Sequence, residues 1–243
     1  MKPRASVVAL IVCLASLSGQ AALGGPTITL TGTIRDFSDS HPDFEDGLGD
    51  DRGIVLPDLG LDGKPVYAGQ AGHPTTTGQT NFDQWYRNVP GINLPGSYSI
   101  QLTEDVASPG TYSYCNNAFF PIDNQLLGNE GRGSNYHFTY EIHTTFGYNG
   151  GEVFTFSGDD DLWVFLNGKL AIDLGGVHPQ ETETISLDAL AGTLGITTGN
   201  TYSFDLFFAE RHTSASNFCI ETSIQLEPVA TRSTTWSAIK AWR

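Results

Sequence analysis

The chain has 243 residues and a strongly acidic balance, with 12 Lys and Arg against 27 Asp and Glu and a formal net charge of −15. Nucleic acids and anionic membrane surfaces need a cationic protein face, so this balance argues against both as partners. Hydrophobic residues make up 39% of the chain and include 14 Phe, 9 Tyr and 4 Trp, which supplies a core and excludes wholesale disorder.

The N-terminal segment has the three-part layout of a secretory signal peptide. Lys2 and Arg4 precede an apolar run from about Val7 to Leu17, and small residues follow it. We predict cleavage after Ala21 and export to the extracellular space or the cell surface. No later apolar stretch reaches the roughly 18 residues that a membrane-spanning helix needs, so we expect none in the mature chain.

Cysteine usage agrees with an exported protein. Cys13 lies in the signal segment, and the mature chain keeps Cys115 and Cys219. Two thiols in an oxidising compartment most simply form one disulfide, and two separately buried thiols are the alternative. We therefore predict a Cys115–Cys219 disulfide.

Short runs of Val, Ile, Thr and aromatic residues, separated by turns rich in Gly and Pro, predict an all-β sandwich. The domain is expected over residues 22–227, after a signal peptide at 1–21 and before a weakly packed tail at 228–243. A Gly- and Asp-rich stretch at 39–80 is predicted to be a long irregular insertion. The predicted strands, in chain order, are Thr27–Phe37, Gly96–Asp105, Asn135–Tyr148, Glu152–Gly158, Leu162–Gly168, Lys169–Gly176, Thr201–His212 and Asn217–Pro228.

Other local signals refine this pattern. Asn167-Gly168 stands between two apolar runs and is a strong hairpin signal. Phe82–Val89 and Asp188–Gly195 could each form one or two helical turns, but neither sustains a helical period.

Three consecutive carboxylates, Asp159, Asp160 and Asp161, adjoin one of the most apolar strands. Like charges at this distance repel one another, so we expect a bound cation to offset the repulsion. Ca²⁺ takes six to eight oxygen ligands and is the natural candidate, provided that a strained or cis peptide bends the loop. A turn whose acids bond nearby amides is the alternative. Further possible oxygen donors are Asn167, Asp173 and Asn217.

Aromatic and polar residues suggest a ligand surface beside this acidic loop. Trp163 could present a flat face to a sugar, as could Trp85 and Tyr86, although each ring is at least as consistent with a core position. The polar loop at 210–218 is expected to form a second wall. Its candidate ligand-binding residues are Glu210, Arg211 and His212, joined by His178 from the end of the acidic block.

Catalytic signals are weak by comparison. The six histidines form no HExxH motif, and no GxSxG or Gly-rich phosphate loop is present. A glycosidase needs two facing carboxylates, and no spacing selects a pair from the candidates. Those candidates by residue type are Glu141, Asp205, Glu210 and Glu221.

Six blocks in order give the chain a family likeness. They are GTIRDFSDSHPDFE (32–45), FDQWYRNVPGIN (82–93), FFPID (119–123), NYHFTYEI (135–142), FTFSGDDDLWVFLNGKLAIDLGGVH (154–178) and FFAERHTSASNF (207–218). Over residues 32–225 the chain resembles the fibro-slime domain of secreted and surface proteins of bacteria and slime moulds. That domain in turn resembles the wider protective-antigen-type (PA-fourteen) β-sandwich of bacterial toxins, glycosidase accessory modules and yeast adhesins.

The resemblance implies an antiparallel β-sandwich of jelly-roll or protective-antigen type with long loops. In the adhesins an Asp-Asp pair with a cis peptide holds Ca²⁺, which contacts sugar hydroxyls. This role maps onto Asp159-Asp160 or Asp160-Asp161, with Asn217 as the second-loop asparagine. We therefore expect a non-enzymatic module that binds an extracellular glycan or matrix polymer through calcium. The alternatives are a structural matrix or coat protein and a polysaccharide hydrolase.

Overall fold

The computed structural model describes residues 25–45, 47–69 and 72–227, and β-strands dominate them. This confirms the all-β prediction. The described strands are β1 (Thr27–Phe37), β2 (Gly49–Asp50), β3 (Asn93–Glu104), β4 (Tyr112–Asn116), β5 (Phe138–Tyr148), β6 (Val153–Gly158), β7 (Asp161–Leu166), β8 (Lys169–Leu174), β9 (Gly176–Val177), β10 (Glu181–Ser186), β11 (Asn200–Glu210), β12 (Phe218–Thr222) and β13 (Leu226–Glu227). The described helices are α1 (Gln79–Phe82) and α2 (Leu187–Leu194).

The main sheet is antiparallel and runs β10-β6-β12-β4-β3-β1-β5-β11-β7-β8, with β13 paired to β5. Alternate side chains of these strands share one apolar interior. The two end strands of the path are linked by Arg52, whose Nη1 donates to the Asp173 carbonyl of β8 at 2.7 Å and whose Nη2 bonds Glu181 of β10 at 2.7 Å. The sheet therefore curls into a nearly closed sandwich.

Strand β7 is buried on both faces, which explains its unbroken apolar sequence. Leu162, Val164 and Leu166 point into the main core. Trp163 and Phe165 point outward into a second apolar cluster. A strand covered on both sides has no solvent-facing positions, so the usual polar alternation is absent.

The second cluster forms because the irregular stretch at 39–80 folds over the outside of the sheet. Within this stretch, β2 pairs with β9 and the remainder is mainly turns. Ile54 and Val55 are buried against Trp163. Main-chain bonds fix the stretch to the sheet, among them Asp51 N to Gly175 O at 2.7 Å and Leu59 N to Gly168 O at 3.0 Å. The insertion is therefore irregular but firmly packed.

The predicted elements agree with the structure where the apolar pattern is strong. β1 has the predicted bounds, and Asn167 and Gly168 form the hairpin turn with φ values of 54° and 71°. The pattern missed β4 and β10, because their sequences YSYCN and ETETIS are short or mostly polar. The first short helix ends at Phe82, where the predicted one began. The predicted signal peptide and C-terminal tail lie outside the described residues.

The predicted disulfide is present. Cys115 of β4 and Cys219 of β12 are direct partners in the antiparallel register and are bonded to each other. The bond closes a loop of 104 residues in sequence separation. It therefore ties together two strands that are distant in the chain but adjacent in the sheet.

Replacing both cysteines, Cys115→Ser with Cys219→Ser, should lower the free energy of unfolding by about 2–4 kcal/mol, because the unfolded chain regains loop entropy. Urea unfolding of both proteins measures the difference, and dithiothreitol should shift the wild type towards the variant. Equal stabilities, or free thiols in a non-reduced peptide map, would contradict this.

A charged network lies on the outer face of the sheet under the insertion. Glu141 contacts Arg35 at 3.0 Å and Lys64 at 2.6 Å, and His143 contacts Asp205 at 2.7 Å. Burial alone would raise the pKa of Glu141, but the His143 bond and the two cations lower it to about 2. Burial alone would lower the pKa of His143, but its bonds to Asp205 and Glu141 raise it to about 9.

These shifts predict a specific loss of stability in alkaline solution. His143 stabilises the fold below its unfolded pKa of 6.5, and this contribution disappears as the pH rises through about 9. The wild type should therefore lose urea resistance over that range, and His143→Gln should lose clearly less. Parallel pH profiles for the two proteins would show that the network does not act in this way. The acid limb should come from Glu141, whose contribution is lost as pH falls from 4.5 towards about 2.

Candidate cation and ligand site

A cleft of about 660 Å³ opens where the acidic loop, the strand β9 segment and the loop after β11 meet. It brings together five residues that the sequence singled out from separate parts of the chain. They are Asp159, Asp160, His178, His212 and Asn217. Apolar side chains of Leu48 and Val177 complete part of its wall.

Asp159 connects the acidic loop to the loop before β12. Its Oδ1 accepts from the Asn217 amide nitrogen at 2.5 Å, and its Oδ2 accepts from Asn217 Nδ2 at 2.7 Å. The predicted pair of Asp159 and Asn217 is therefore in direct contact. Because Nδ2 makes this bond, the Asn217 amide oxygen is not used by it.

Asp160 connects the same loop to the chain after β11. Its Oδ2 accepts from the main-chain nitrogens of Arg211 at 2.8 Å and His212 at 3.1 Å. Its backbone has φ of 54°, in the left-handed region that non-glycine residues seldom adopt. The loop thus bends through a strained residue, and the described residues contain no cis peptide, unlike the expectation from the adhesins.

Asp161 turns away from the cleft into the protein. Its Oδ1 accepts from Gly176 N at 2.7 Å, and its Oδ2 accepts from Arg211 Nε at 2.5 Å. Both side chains of this ion pair are fully buried. Asp161 is therefore neutralised by a cation of the chain itself, which corrects its prediction as a metal ligand and that of Arg211 as a ligand-binding residue.

Arg211 is held on every side. Its Nη1 donates to the carbonyl oxygens of Asp43 at 3.0 Å and Thr75 at 2.6 Å, and its guanidinium stacks 4.6 Å above the Trp85 ring. Burial alone would lower the pKa of Arg211, but Asp161 and then Asp160 raise it, so the group stays charged. The insertion is consequently folded around this one cation.

Negative charge remains on the cleft side of the loop. Burial raises the pKa of Asp160 to about 7, although the Arg211 charge and amide act in the opposite direction. Asp161 and Asp159 add to the increase by repulsion. A cation placed beside Asp160 would relieve this repulsion.

The loop after β11 is fastened by a second set of bonds. Glu45 accepts from the Thr213 amide at 2.9 Å and contacts His137 Nε2 at 2.8 Å. Glu130 contacts the other ring nitrogen of His137 at 3.0 Å. This wall of the cleft is therefore set by hydrogen bonds before any ligand arrives. The histidine that the strand pattern placed near His143 has a hydrogen-bonding role.

Three predicted ligand-binding residues lie elsewhere. Trp163 is fully buried in the second cluster, and its Nε1 donates to Asp173 Oδ1 at 2.9 Å. Asp173 Oδ2 accepts from Gly53 N at 2.8 Å, so this carboxylate holds the insertion. Asn167 lies at the other end of β7, roughly 20 Å from Asp161 by strand rise, and bonds Leu194 O. Sequence proximity to the acidic triplet misplaced all three.

Glu210 also differs from its prediction. It is fully buried rather than exposed on the wall of the cleft. Among the described residues, no three His, Cys, Asp or Glu side chains converge closely enough to hold a metal ion as they stand. The oxygen donors that face the cleft are those of Asp159, Asp160 and Asn217.

Comparison with known proteins decides the family. The model described as "PA14 domain" matches residues 113–235, about half of the chain, including the acidic loop and the cleft residues from Asp159 to Asn217. The chain belongs to the PA14 domain family. The resemblance stated from the sequence blocks is thus confirmed at the level of the PA14 fold.

Curated relatives of this PA14 protein occur in Dictyostelium discoideum. Protein psiD is 41% identical over 238 residues, which cover 90% of this chain and 46% of psiD. Protein psiQ is 43% identical over 188 residues, which cover 72% of this chain and 19% of psiQ. The chain therefore spans only about a fifth to just under half of these relatives' lengths.

Solved structures similar to the PA14 protein are remote. One is titled a PA14 sugar-binding domain from an RTX adhesin, with 9% identity, a TM-score of 0.33 and coverage of 81% of this chain and 91% of that one. Another is a subtype-switched Epithelial Adhesin 9 A domain from Candida glabrata in complex with β-lactose, with 12% identity, a TM-score of 0.34 and coverage of 83% and 88%. Likeness at this level carries no conclusion about ligand.

No helix in the described part of the chain has the length and apolar character needed to cross a membrane. Sequence reasoning missed two features of the site, the apolar wall at Leu48 and Val177 and the counter-ion role of Arg211. The second had a signal: Arg211 continues the outward-facing positions Phe207 and Ala209 of β11, and a buried charge there needs an acid partner.

Arg211→Met should lower the free energy of unfolding by about 3–5 kcal/mol, because it leaves Asp161 buried without a counter-ion. Adding Asp161→Asn should cost less than the sum of the two single changes, with a coupling of about 1–3 kcal/mol. Urea unfolding of the four proteins in the cycle gives this coupling. Strict additivity would show that the pair is not a unit.

Proposed function

We propose that this PA14 protein is an exported adhesion-type domain that binds an extracellular carbohydrate or matrix polymer in the acidic cleft. A calcium ion held by Asp159, Asp160 and Asn217 would take part in binding. The observation that carries the proposal is the convergence of these oxygen donors with His178 and His212 on one cleft. Membership of the PA14 family supports it.

The donor set suits calcium. Carboxylate and amide oxygens are the hard ligands that Ca²⁺ prefers, and main-chain oxygens or ligand hydroxyls can complete its shell. Each carboxylate oxygen has more than one lone pair, so the bonds from Asn217 and from the Arg211 and His212 amides do not exclude an ion. A bound calcium ion would supply positive charge between Asp159 and Asp160 and open positions for hydroxyl groups.

The remaining walls suit a sugar. His178 and His212 offer ring nitrogens for hydrogen bonds, whereas Leu48 and Val177 offer apolar contact. A few polar groups that converge on a mainly apolar recess are typical of small-ligand sites. The ligand would contact both kinds of wall at once.

A structural matrix protein is the second candidate, and one observation favours it. Asp159 and Asp160 already accept hydrogen bonds from Asn217, Arg211 and His212. In that case any ion would only stiffen the loop. A hydrolase is less well supported, because none of the four acids considered by residue type lines the cleft.

Calcium should stabilise the wild type, by about 2.7 kcal/mol at a hundred times its Kd, because it binds only the folded chain. Asp160→Asn should abolish most of this gain, and Asp58→Asn, at an exposed surface pair with Lys169, should keep it. Thermal unfolding with calcium or with chelator measures both effects. A calcium increment that is equal in wild type and Asp160→Asn would refute the cation site.

A glycan array with calcium and with chelator separates the candidate functions. Binding that chelator abolishes supports the carbohydrate-binding role. Stabilisation by calcium without binding to any glycan or matrix polymer supports the structural role instead.

A further inference from the structure

Directly behind the acidic loop lies a buried carboxyl group that the hydrogen-bond network does not use. Glu210 is fully buried, and neither of its carboxyl oxygens has a hydrogen-bond partner in the described structure. The Ser216 hydroxyl and the His212 amide lie near and favour its ionised form, but neither reaches hydrogen-bonding geometry. Buried carboxyl groups are normally paired, so this one needs a cause.

The strand register places Glu210 beside the acidic loop. Ala209 of β11 pairs with Asp161 of β7, which puts the next residue level with Asp160. Alternation along β11 turns Glu210 to the interior side of Phe208 and turns Arg211 to the outer side, where it pairs with Asp161. After burial, the charges of Asp160 and then Asp159 are the main influences that raise the pKa of Glu210.

A neutral, protonated Glu210 with a purely structural role does not explain this environment. A buried protonated carboxyl group donates its O–H to an acceptor. Both oxygens of Glu210 lack such a partner, and the nearby Ser216 Oγ is itself without one. The unused Glu210 carboxyl instead faces two carboxylates that have no cation of their own.

We propose that Glu210 supplies the third negative charge of the cation site, from behind Asp159 and Asp160. This inference rests on the proposed function. Glu210 acts through its charge, since no three acidic side chains converge on one point in the described residues. Arg211 removes Asp161 from the count, so the ion faces the charges of Asp159, Asp160 and Glu210.

This arrangement makes ion affinity depend on the charge of the ion. The attraction between Glu210 and an ion grows in proportion to the ion's charge at a given distance. The number of acidic groups is one of the factors that set calcium affinity in proteins. A trivalent ion of similar size, such as Tb³⁺, should therefore gain more from Glu210 than Ca²⁺ does.

Glu210→Gln removes the charge and keeps the shape. Calcium titrations followed by calorimetry should show affinity reduced about tenfold. Terbium affinity, measured by luminescence, should fall about thirtyfold, because the lost energy scales with ion charge. Glu210→Asp keeps the charge and should weaken both ions much less than Glu210→Gln. Glu221→Gln, an exposed acid on β12, is the matched control and should leave both affinities unchanged.

Metal-free stability gives an independent readout. The melting temperature of Glu210→Gln in chelator should equal or exceed that of the wild type, because a buried carboxyl with no partner is removed. If the Gln variant fails to fold, Glu210→Met replaces it as a neutral side chain suited to an apolar interior, with the same expected losses.

The outcomes separate the two proposals. Wild-type protein that binds neither ion would refute the proposed function and this inference together. Binding that Asp160→Asn abolishes but a neutral Glu210 variant leaves within about twofold would overturn the inference alone. Equal losses for Ca²⁺ and Tb³⁺, or equal losses in Glu210→Asp and Glu210→Gln, would also overturn it, because neither follows from charge.

Discussion

The buried ion pair between Asp161 and Arg211 is the contact on which the rest of this structure depends. One partner begins a core strand, and the other follows the neighbouring strand of the same sheet. The guanidinium also binds the insertion through the Asp43 and Thr75 carbonyls and stacks on Trp85. A buried pair gives little net stability compared with apolar residues, but it becomes costly to break once formed. Its contribution here is to fix one arrangement of sheet and insertion.

The pair also explains how three adjacent aspartates coexist at the edge of an apolar strand. Each carboxylate has a different set of donors: Asn217 for Asp159, main-chain amides for Asp160, and Arg211 with Gly176 N for Asp161. The left-handed backbone at Asp160 makes this divergence possible. The chain thus neutralises one of the three charges itself and leaves the other two beside the cleft. A single ion shared by the whole triplet is therefore not the explanation.

Much of the fold could be predicted from local sequence, because period-two alternation marks half-buried strands such as Thr27–Phe37 and Asn-Gly marks the hairpin at Asn167. Strands with polar sequences, such as β10, escaped because their place in the sheet is set by neighbours distant in the chain. The convergence of Asp159 with Asn217 was foreseen through the family resemblance.

The positions of Trp163, Asp173 and Arg211 were not foreseeable in the same way. Each depends on the insertion at 39–80 closing over the outer face, which turns residues that would be exposed on a bare sheet into buried ones. Nothing in the local pattern of an irregular segment states which surface it covers. Glu210 shows the same limit, since its burial follows from strand register and the cleft loop together.

Anomalous diffraction from crystals grown with Tb³⁺ tests the division of charge most directly. The account predicts one strong peak at the cleft side of the acidic loop, next to Asp159 and Asp160, with Asp161 still bonded to Arg211. A peak coordinated by Asp161 with Arg211 displaced would contradict it, as would crystals in which the cleft shows no ion while the aspartates remain bonded to their own amides.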